Sequence, residues 1–264
     1  MLLGVSRAGY YAWRRRPESK RREQDRVLLS EVETVFRASG GTYGSPRLQK
    51  ELSVRGFSIS RRRVERLMGL AGLRARVSRV YRSKPGRRRL FEKHPNRLWT
   101  MQARKPGEIW VGDVTYLKVE GRWRFLAVVL DQYSRRVVGW SLGGVRCGAL
   151  TRSAFNRAFR SRPPQGTLIF HSDRGSEYAG TALGNRLREL GVLQSMTRGG
   201  SPSDNAHAES FFHSLKAEVV HGAHFSDEKA LRRCLRRYVR FYNHQRLHSS
   251  LGYLSPVSFE KCAA

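Results

Sequence analysis

The sequence predicts a mixed α/β domain that is preceded by a small, all-helical domain. Apolar, strand-like segments begin near residue 108, whereas the earlier residues show helical periodicity interrupted by glycine and proline. Three strand-like segments come first and are expected to pair as antiparallel hairpins. Helices and strands then alternate, which is typical of a mixed sheet with flanking helices. We expect a helical domain at residues 1–73, a basic linker at 74–105 and an α/β domain with a helical tail at 106–264.

Helix signals define the first elements of the helical domain. Residues 1–39 have a helical pattern with a basic face, and Pro17 interrupts it. After a glycine-rich break, Pro46 suits the first turn of a helix, because its fixed φ matches the helix and its missing N–H is not needed there. This helix is expected to end near Arg55, and Gly56 then turns the chain.

A second helix follows this turn and begins with three arginines. Ser60 is suited to cap it, and its first residues are Arg61, Arg62 and Arg63. Helix, short turn and helix is the order of the helix-turn-helix motif, whose second helix presents its first residues to the major groove of DNA. We therefore expect these arginines to contact DNA. The alternative is an ordinary helical hairpin whose arginines are simply solvated.

Positive charge is concentrated in the first part of the chain. The formal net charge is +30, and residues 1–105 hold 28 lysines and arginines against 8 acidic residues, a net charge of +20. The predicted linker has eight basic residues and no acidic one between residues 74 and 89. Such a charge repels itself unless a partner neutralises it, so the composition indicates a polyanion as partner.

The α/β domain is expected to contain five strands. Apolar segments rich in β-branched and aromatic residues predict strands near residues 108–119, 123–130, 137–142, 167–170 and 193–196. Helical periodicity predicts helices near residues 149–160, 179–190 and 227–243, and a further helix that Asp204 or Asn205 would cap. Residues 198–203 are expected to form a flexible loop. The tryptophans of the strand segments, Trp110, Trp123 and Trp140, are expected in the core.

Three acidic residues stand out in the α/β domain, namely Asp113, Asp173 and Glu209. The first two interrupt or follow apolar strand segments, the third lies on a helix edge, and 35 residues separate the second from the third. Carboxylates are usually exposed, so these positions indicate convergence on one cleft. Carboxylate oxygens are ligands that Mg²⁺ prefers. A pair of Mg²⁺ or Mn²⁺ ions about 3.5–4 Å apart would suit phosphodiester chemistry.

The helix that carries Glu209 also presents two basic side chains. With about 3.6 residues per turn, Glu209, His213 and Lys216 share an outward face beside the apolar stripe. Lys216 is two turns beyond Glu209, so its ammonium group could reach a phosphate held at the acidic cluster. The alternative is a solvated helix lysine with no binding role.

Other classes of protein find little support. No apolar run approaches the ~20 residues of a membrane span, and the apolar start is too short for a signal peptide. Three scattered cysteines favour a reduced, cytoplasmic setting over a disulfide framework. A structural zinc site is not expected at His221, His224, His244 and His248. Such sites need four well-spaced ligands, often with cysteine pairs, and these histidines have neither that spacing nor a cysteine pair beside them.

Six segments, in order along nearly the whole chain, resemble insertion-sequence transposases of the OrfB type, which are relatives of retroviral integrases. Three of them hold the acids: W-V-G-D-V-T-Y, H-S-D-R-G-S-E-Y and D-N-A-H-A-E-S-F-F-H-S-L-K-A-E. The others are Y-G-S-P-R-L-Q-K-E-L and F-Y-N-H-Q-R-L-H-S-S-L-G-Y-L-S-P, and the N-terminal G-V-S-R-A-G-Y-Y-A-W matches as well. The resemblance implies a ribonuclease-H-like core in which Asp113, Asp173 and Glu209 bind two metal ions.

The resemblance also implies a substrate and partners. It implies cleavage and strand transfer at the ends of an insertion sequence, with Lys216 contacting the transposon end and Asn205 and Arg47 as further DNA contacts. We expect a homo-oligomer on DNA, associated with the bacterial nucleoid in the cytoplasm. The resemblance also implies an upstream reading-frame product as a fusion or partner. Two alternatives stay open: a metal-dependent nuclease of the same fold, and a catalytically idle DNA-binding derivative.

Overall fold

The computed structural model describes residues 4, 6–76, 95–99, 101–197 and 205–263. The chain divides into two compact units, Met1–Arg76 and Val77–Ala264. Most of the predicted basic linker, the predicted loop 198–203 and the candidate cap Asp204 lie outside the described residues. No helix within the described ranges is long and apolar enough to cross a membrane.

The first unit is helical, as predicted. Its helices are α1 (Arg7–Arg15), α2 (Lys20–Ala38), α3 (Ser45–Val54) and α4 (Arg61–Leu70). The segment containing Pro17 separates α1 from α2, and serine side chains accept hydrogen bonds from the first turns of α1, α2 and α4. Apolar residues of α2, α3 and α4 pack into a small core, which includes Leu28, Val32, Val35, Leu48, Leu52, Val64 and Leu67.

The α3–turn–α4 segment has the predicted helix-turn-helix form. Pro46 lies in the first turn of α3, and Gly56 adopts a φ of 88°, a conformation that glycine tolerates because it lacks a Cβ. The Ser60 Oγ accepts a hydrogen bond from the Arg63 N–H at 3.3 Å, so the predicted cap is confirmed. The first turn of α4 therefore consists of arginines, as the sequence predicts.

The second unit is built on a five-stranded mixed sheet. Its strands are β1 (Ile109–Val119), β2 (Arg122–Asp131), β3 (Val137–Gly143), β4 (Ile169–Ser172) and β5 (Leu193–Met196), in the spatial order β3-β2-β1-β4-β5. The first three strands pair antiparallel, as predicted, whereas β4 is parallel to β1 and β5 is parallel to β4. β1 is therefore the central strand, at which the antiparallel and parallel halves meet.

Helices cover both faces of this sheet. They are α5 (Gly148–Ser161), α6 (Ser176–Ala179), α7 (Thr181–Glu189), α8 (Ala206–Leu215), α9 (Glu228–His244) and α10 (Pro256–Ala263). One apolar core joins the sheet to α8 and α9, and a second joins its opposite face to α5 and α7. Alternate residues of β2 enter the two cores: Leu126, Val128 and Leu130 enter the first, and Ala127 and Val129 the second.

One predicted helix is confirmed and another differs in form. The helix expected at 179–190 is α7, and Gly180, which has extended backbone angles, separates it from the short helix α6 that was not predicted. The helix carrying Glu209 continues beyond Leu215 as a π-helical turn at Lys216–Val220, which the His221 N–H closes on the Lys216 carbonyl at 2.7 Å. A π turn inserts an extra residue per turn, so apolar periodicity alone does not predict it.

A buried ion pair connects this π turn to the C-terminal segment. Glu218 and Arg246 have side-chain exposures of 5% and 7%, and the Arg246 Nη2 donates to the Glu218 Oε1 at 2.7 Å. The Tyr238 hydroxyl donates to the other carboxylate oxygen at 3.0 Å, and the Arg246 Nη2 also donates to the Ser214 Oγ at 2.9 Å. Because both charges are desolvated, each depends on the other for compensation.

Substitution Glu218→Gln is expected to destabilise the protein by about 3 kcal/mol or more, because the buried Arg246 charge loses its counter-charge. Chemical denaturation of the full chain measures this. The matched control is Glu189→Gln, whose ion pair with Arg186 is exposed, and its effect is expected to stay below about 1 kcal/mol. Equal effects of the two substitutions would contradict the role given to the buried pair.

Candidate active site

The register of two parallel strands brings Asp113 and Asp173 together. Gly112 of β1 pairs with Ser172, the last residue of β4. Asp113 directly follows Gly112, and Asp173 directly follows Ser172. Neighbouring strands lie about 4.8 Å apart, so the two aspartates are adjacent. Both carboxylates are half-buried and accept backbone hydrogen bonds, Asp113 from the Val114 N–H at 2.8 Å and Asp173 from the Gly175 N–H at 3.0 Å.

Close packing behind the sheet requires glycine before Asp113. A Cβ at Gly112 would lie 2.5 Å from the Phe170 Cζ and 3.1 Å from a ring carbon of Tyr178. Both rings are fully buried in the core on that face, so they cannot move aside without opening a cavity. Glycine therefore lets β1 rest directly on these rings, which fixes the backbone from which Asp113 projects.

Helix α8 brings Glu209 to the same side of the sheet. Val111 packs in the core shared with α8, and Asp113, two residues later in the strand, points to the same face. α8 is held there by Ala208, Phe211 and Phe212, which are buried. The side chain of Glu209 is exposed, and its negative charge contributes to raising the pKa of Asp113.

The acids repel one another in this setting. Burial is the largest cause that raises the pKa of Asp113, and the charge of Asp173 is the next; together with Glu209 they raise it from 3.8 to about 7. Burial also raises the pKa of Asp173, and the neighbouring Glu177 adds to the effect. A bound cation would relieve this repulsion, because it offers the carboxylates an opposite charge.

The donor set fits a hard divalent cation in its chemistry. Asp113, Asp173 and Glu209 supply only carboxylate oxygens, the ligands that Mg²⁺ prefers. Within the described ranges, however, no group of three histidines, cysteines or acids is close enough to hold a metal ion. The structure thus brings two acids side by side and a third within electrostatic reach, without joining all three around one point.

Arg146, which was not predicted as a site residue, lies beside the acids. The Arg146 Nε donates to the Glu177 Oε1 at 2.7 Å, and Glu177 is buried. The positive charge of Arg146 also lowers the pKa values of Asp113 and Asp173, partly offsetting their repulsion. Glu177 could have been found, since it follows Asp173 in the same motif, but nothing near Arg146 in the sequence indicates this contact.

Lys216 is directed towards the site, although not as a solvated helix residue. It is half-buried, and its Nζ lies 4.8 Å from the centre of the Tyr116 ring. Burial lowers the pKa of Lys216, and the negative charge of Asp113 opposes that shift. Its ammonium group is therefore within electrostatic range of the acids while it rests on an aromatic face of β1.

Asn205 occupies the predicted position directly before α8 but does not cap the helix with its side chain, and the alternative cap, Asp204, lies outside the described residues. The Asn205 side chain makes no capping hydrogen bond, and its φ of −116° and ψ of 16° differ from the extended angles of a capping residue. The residue is buried, and its Oδ1 has no hydrogen-bond partner among the described residues. A buried, unsatisfied acceptor is costly in the folded protein. The predicted DNA contact of Asn205 stays a prediction.

The predicted DNA contacts of the first unit differ in their surroundings. Arg61 is exposed and pairs with Glu65 at 2.9 Å, and Arg62 is exposed and forms no ion pair within the described part of the unit. Arg63 instead turns to α2, where its Nε donates to Asp25 at 2.8 Å. Arg47 is half-buried, with its guanidinium group 5.6 Å from the centre of the Tyr43 ring. Of these four arginines, Arg62 thus has the guanidinium group that is most accessible to a DNA phosphate.

Comparison with known proteins agrees with this architecture. Models described as "Integrase core domain" match residues 103–202 and 190–256, and one described as "HTH-like domain" matches residues 22–81. The transposase for insertion sequence element IS904 of Lactococcus lactis is 36% identical over 249 residues, covering 94% of this chain and 98% of that protein. Transposase InsF for insertion sequence IS3A of Escherichia coli K12 is 36% identical over 263 residues, covering 98% and 91%.

A solved structure supports the fold. A chain of the simian T-cell lymphotropic virus intasome aligns with a TM-score of 0.51 over 80% of this chain and 70% of its own length, at 14% identity. At that identity the likeness concerns the fold alone. The predicted ribonuclease-H-like core and the helix-turn-helix domain before it are confirmed by the sheet topology and by these family matches.

Substitution Asp113→Asn is expected to stabilise the metal-free protein in a pH-dependent way. Because burial and the charge of Asp173 raise the pKa of Asp113 from 3.8 to about 7, the folded state binds the proton more tightly than the unfolded state. The free energy of unfolding of the wild type should therefore fall as pH rises through this window, whereas asparagine cannot ionise. Denaturation in EDTA should show the largest advantage of the variant above pH 7. An advantage that is absent, or equal at pH 4 and pH 8, would contradict the raised pKa.

Proposed function

This chain belongs to the insertion-sequence transposases, and we propose that it cleaves and joins DNA at the ends of an insertion sequence with the help of two Mg²⁺ or Mn²⁺ ions. In this proposal Asp113, Asp173 and Glu209 form the catalytic, metal-binding triad. The observation that carries it is the placement of Asp113 and Asp173 side by side where the parallel pairing of β1 with β4 ends, on the sheet face that packs against the helix holding Glu209.

The three acidic side chains have different roles in this proposal, because they differ in how firmly they are held. Asp113 and Asp173 are held by backbone hydrogen bonds, so two ligands are oriented before anything binds. Glu209 is exposed, so its carboxylate has room to rotate and complete the set. The ions, when bound, would activate the attacking hydroxyl group and neutralise the leaving oxygen. No protein nucleophile is required, because positioning and charge neutralisation account for phosphoryl transfer.

Two rival functions remain distinguishable from this one. A metal-dependent nuclease of the same fold would cut DNA but not join it, and an idle derivative would bind DNA without cutting. Retention of all three acids favours an active enzyme over an idle one. A homo-oligomer on DNA and a fusion or partnership with an upstream reading-frame product belong to the same proposal. Labelled transposon ends, incubated with target DNA, separate cutting from joining.

Loss of any triad carboxylate is expected to abolish chemistry but not binding. Asp113→Asn, Asp173→Asn and Glu209→Gln should each reduce strand transfer at least about 100-fold. DNA affinity should stay equal or rise, because each change removes negative charge near phosphates. EDTA should stop the wild type in the same assay, and Glu189→Gln serves as a surface control. A triad variant that joins DNA at the wild-type rate would remove that residue from the proposal.

The charge of Lys216 is expected to matter more than its packing. Lys216→Met keeps an unbranched apolar side chain over Tyr116 but removes the ammonium group, so joining of pre-cleaved ends should fall as much as in Lys216→Ala. Lys216→Arg should keep part of the activity, because a phosphate contact depends chiefly on charge. Strand transfer across a salt series measures this. Wild-type joining by the Met variant would leave Lys216 with a structural role only.

The first unit is expected to bind DNA through Arg62. Arg62→Ala should weaken binding of transposon-end DNA and reduce the log–log salt slope by about 0.9, the value for one neutralised phosphate. Arg63→Ala is the matched comparison: it should lower the melting temperature, because Arg63 is paired with Asp25. Fluorescence anisotropy at several salt concentrations gives the slopes. An unchanged slope for Arg62→Ala would argue for a solvated arginine.

A further inference from the structure

Two aromatic side chains are exposed together on the β1–β2 hairpin. Tyr116 is 58% exposed and Trp123 is 52% exposed, so the expectation that Trp123 lies in the core is wrong. Their ring centres are 5.1 Å apart and their planes meet at 89°. Leu117 and Val119 are buried on one face of this part of β1, whereas Tyr116 and Lys118 on the other face are exposed. Apolar residues on both faces do not show from the sequence which face is left uncovered.

Lysines lie over both rings. The Lys118 Nζ is 5.7 Å from the centre of the Trp123 ring, and the Lys216 Nζ is 4.8 Å from that of Tyr116. Lys118 is directly opposite Trp123 in the strand register, and Tyr116 is the diagonal neighbour on β1. Lys118, Trp123, Tyr116 and Lys216 thus form a continuous cation–aromatic strip.

One end of the strip, Lys216, lies beside the candidate active site. Tyr116 is three residues beyond Asp113 on β1, so the two side chains leave opposite faces of the strand. Lys216 links them, because its Nζ lies over the Tyr116 ring and it is within electrostatic range of the Asp113 carboxylate. β4 pairs with β1 only as far as Gly112, so the strip is on the part of β1 that β4 does not reach. A DNA strand held at the acids would therefore reach these rings past Lys216, around the edge of β1 that β4 leaves uncovered.

We propose that this strip binds unpaired nucleotides of the DNA substrate beside the scissile phosphate, with bases stacked on Tyr116 and Trp123 and phosphates near Lys118 and Lys216. The inference rests on the proposed function and adds to it a preference for a single-stranded flank. Base faces are hidden inside a duplex, so only unpaired bases can stack on aromatic rings. Alternation of aromatic and cationic groups is the chemistry that single-stranded nucleic acid needs.

A second copy of the chain is the alternative occupant of this strip. The net charge of +30 opposes the close approach of two such surfaces. The lysines over the rings would also be placed against each other in a symmetric contact. DNA satisfies both the aromatic and the cationic groups at once, which favours it as the occupant.

Stacking can be measured without catalysis. The probe is a duplex whose end carries a short single-stranded flank with 2-aminopurine, mixed with the full chain carrying Asp113→Asn so that no cleavage occurs. Stacking should quench the probe, and Tyr116→Ala or Trp123→Ala should restore its fluorescence and weaken binding about 5- to 100-fold. The blunt duplex of the same sequence should bind all variants alike.

Several variants keep the test decisive. Trp123→Phe and Tyr116→Phe should retain most of the quenching, whereas Trp123→Leu, which keeps apolar bulk, should lose it. Leu193→Ala is the control, because Leu193 is an exposed apolar residue on the edge strand β5. The inference is overturned by equal affinity of Trp123→Leu and wild type for the flanked duplex. It is also overturned if the substitutions change only self-association, measured by sedimentation without DNA.

The two proposals fail in different ways. If wild-type protein does not cut or join DNA while the flanked duplex is still quenched, the catalytic proposal fails and the stacking surface stands. If wild-type protein joins DNA while quenching is absent, catalysis stands and the strip has no role in base binding.

Discussion

Repulsion between two half-buried carboxylates is the constraint on which the rest of this structure depends. Asp113 and Asp173 are adjacent because β1 and β4 are parallel and in register at Gly112 and Ser172. Burial and like charge raise the pKa values of both, so the arrangement costs free energy in the folded protein. It persists because two large apolar cores hold the sheet from both faces. The fold thus supplies the stability that the acidic pair opposes.

Positive groups surround the acids without neutralising them. Arg146 is committed to the buried Glu177, and Lys216 rests on the ring of Tyr116. Each contributes favourable charge at a distance, but neither forms an ion pair with Asp113 or Asp173 in the described structure. This arrangement leaves carboxylate oxygens available for the proposed cation and the ammonium group of Lys216 available for a phosphate. It is consistent with a site that binds metal and DNA together.

Local signals predicted much of this molecule, and long-range contacts account for what they missed. Ser60 and Gly56 act within a few residues, so the helix-turn-helix was predictable, as were the five strands. The convergence of Asp113 and Asp173 was predictable because each residue follows or interrupts an apolar strand. The exposure of Trp123 depends instead on how far helices cover the sheet, and the pairing of Arg146 with Glu177 depends on contact between α6 and the segment before α5. The π turn at Lys216 could not be predicted from an apolar pattern with a period of 3.6 residues. The transposase family was predicted from sequence motifs that occur in order along the chain, not from the predicted helices and strands.

The central claim is that the paired aspartates form a binding site for a divalent cation. The most direct measurement is the melting temperature of the metal-free chain as Mn²⁺ is added, compared with that of Asp173→Asn. The account predicts that Mn²⁺ stabilises the wild type, by about 2.7 kcal/mol at a concentration one hundred times the dissociation constant, and does not stabilise the variant. Equal stabilisation of both proteins, or of neither, would contradict it.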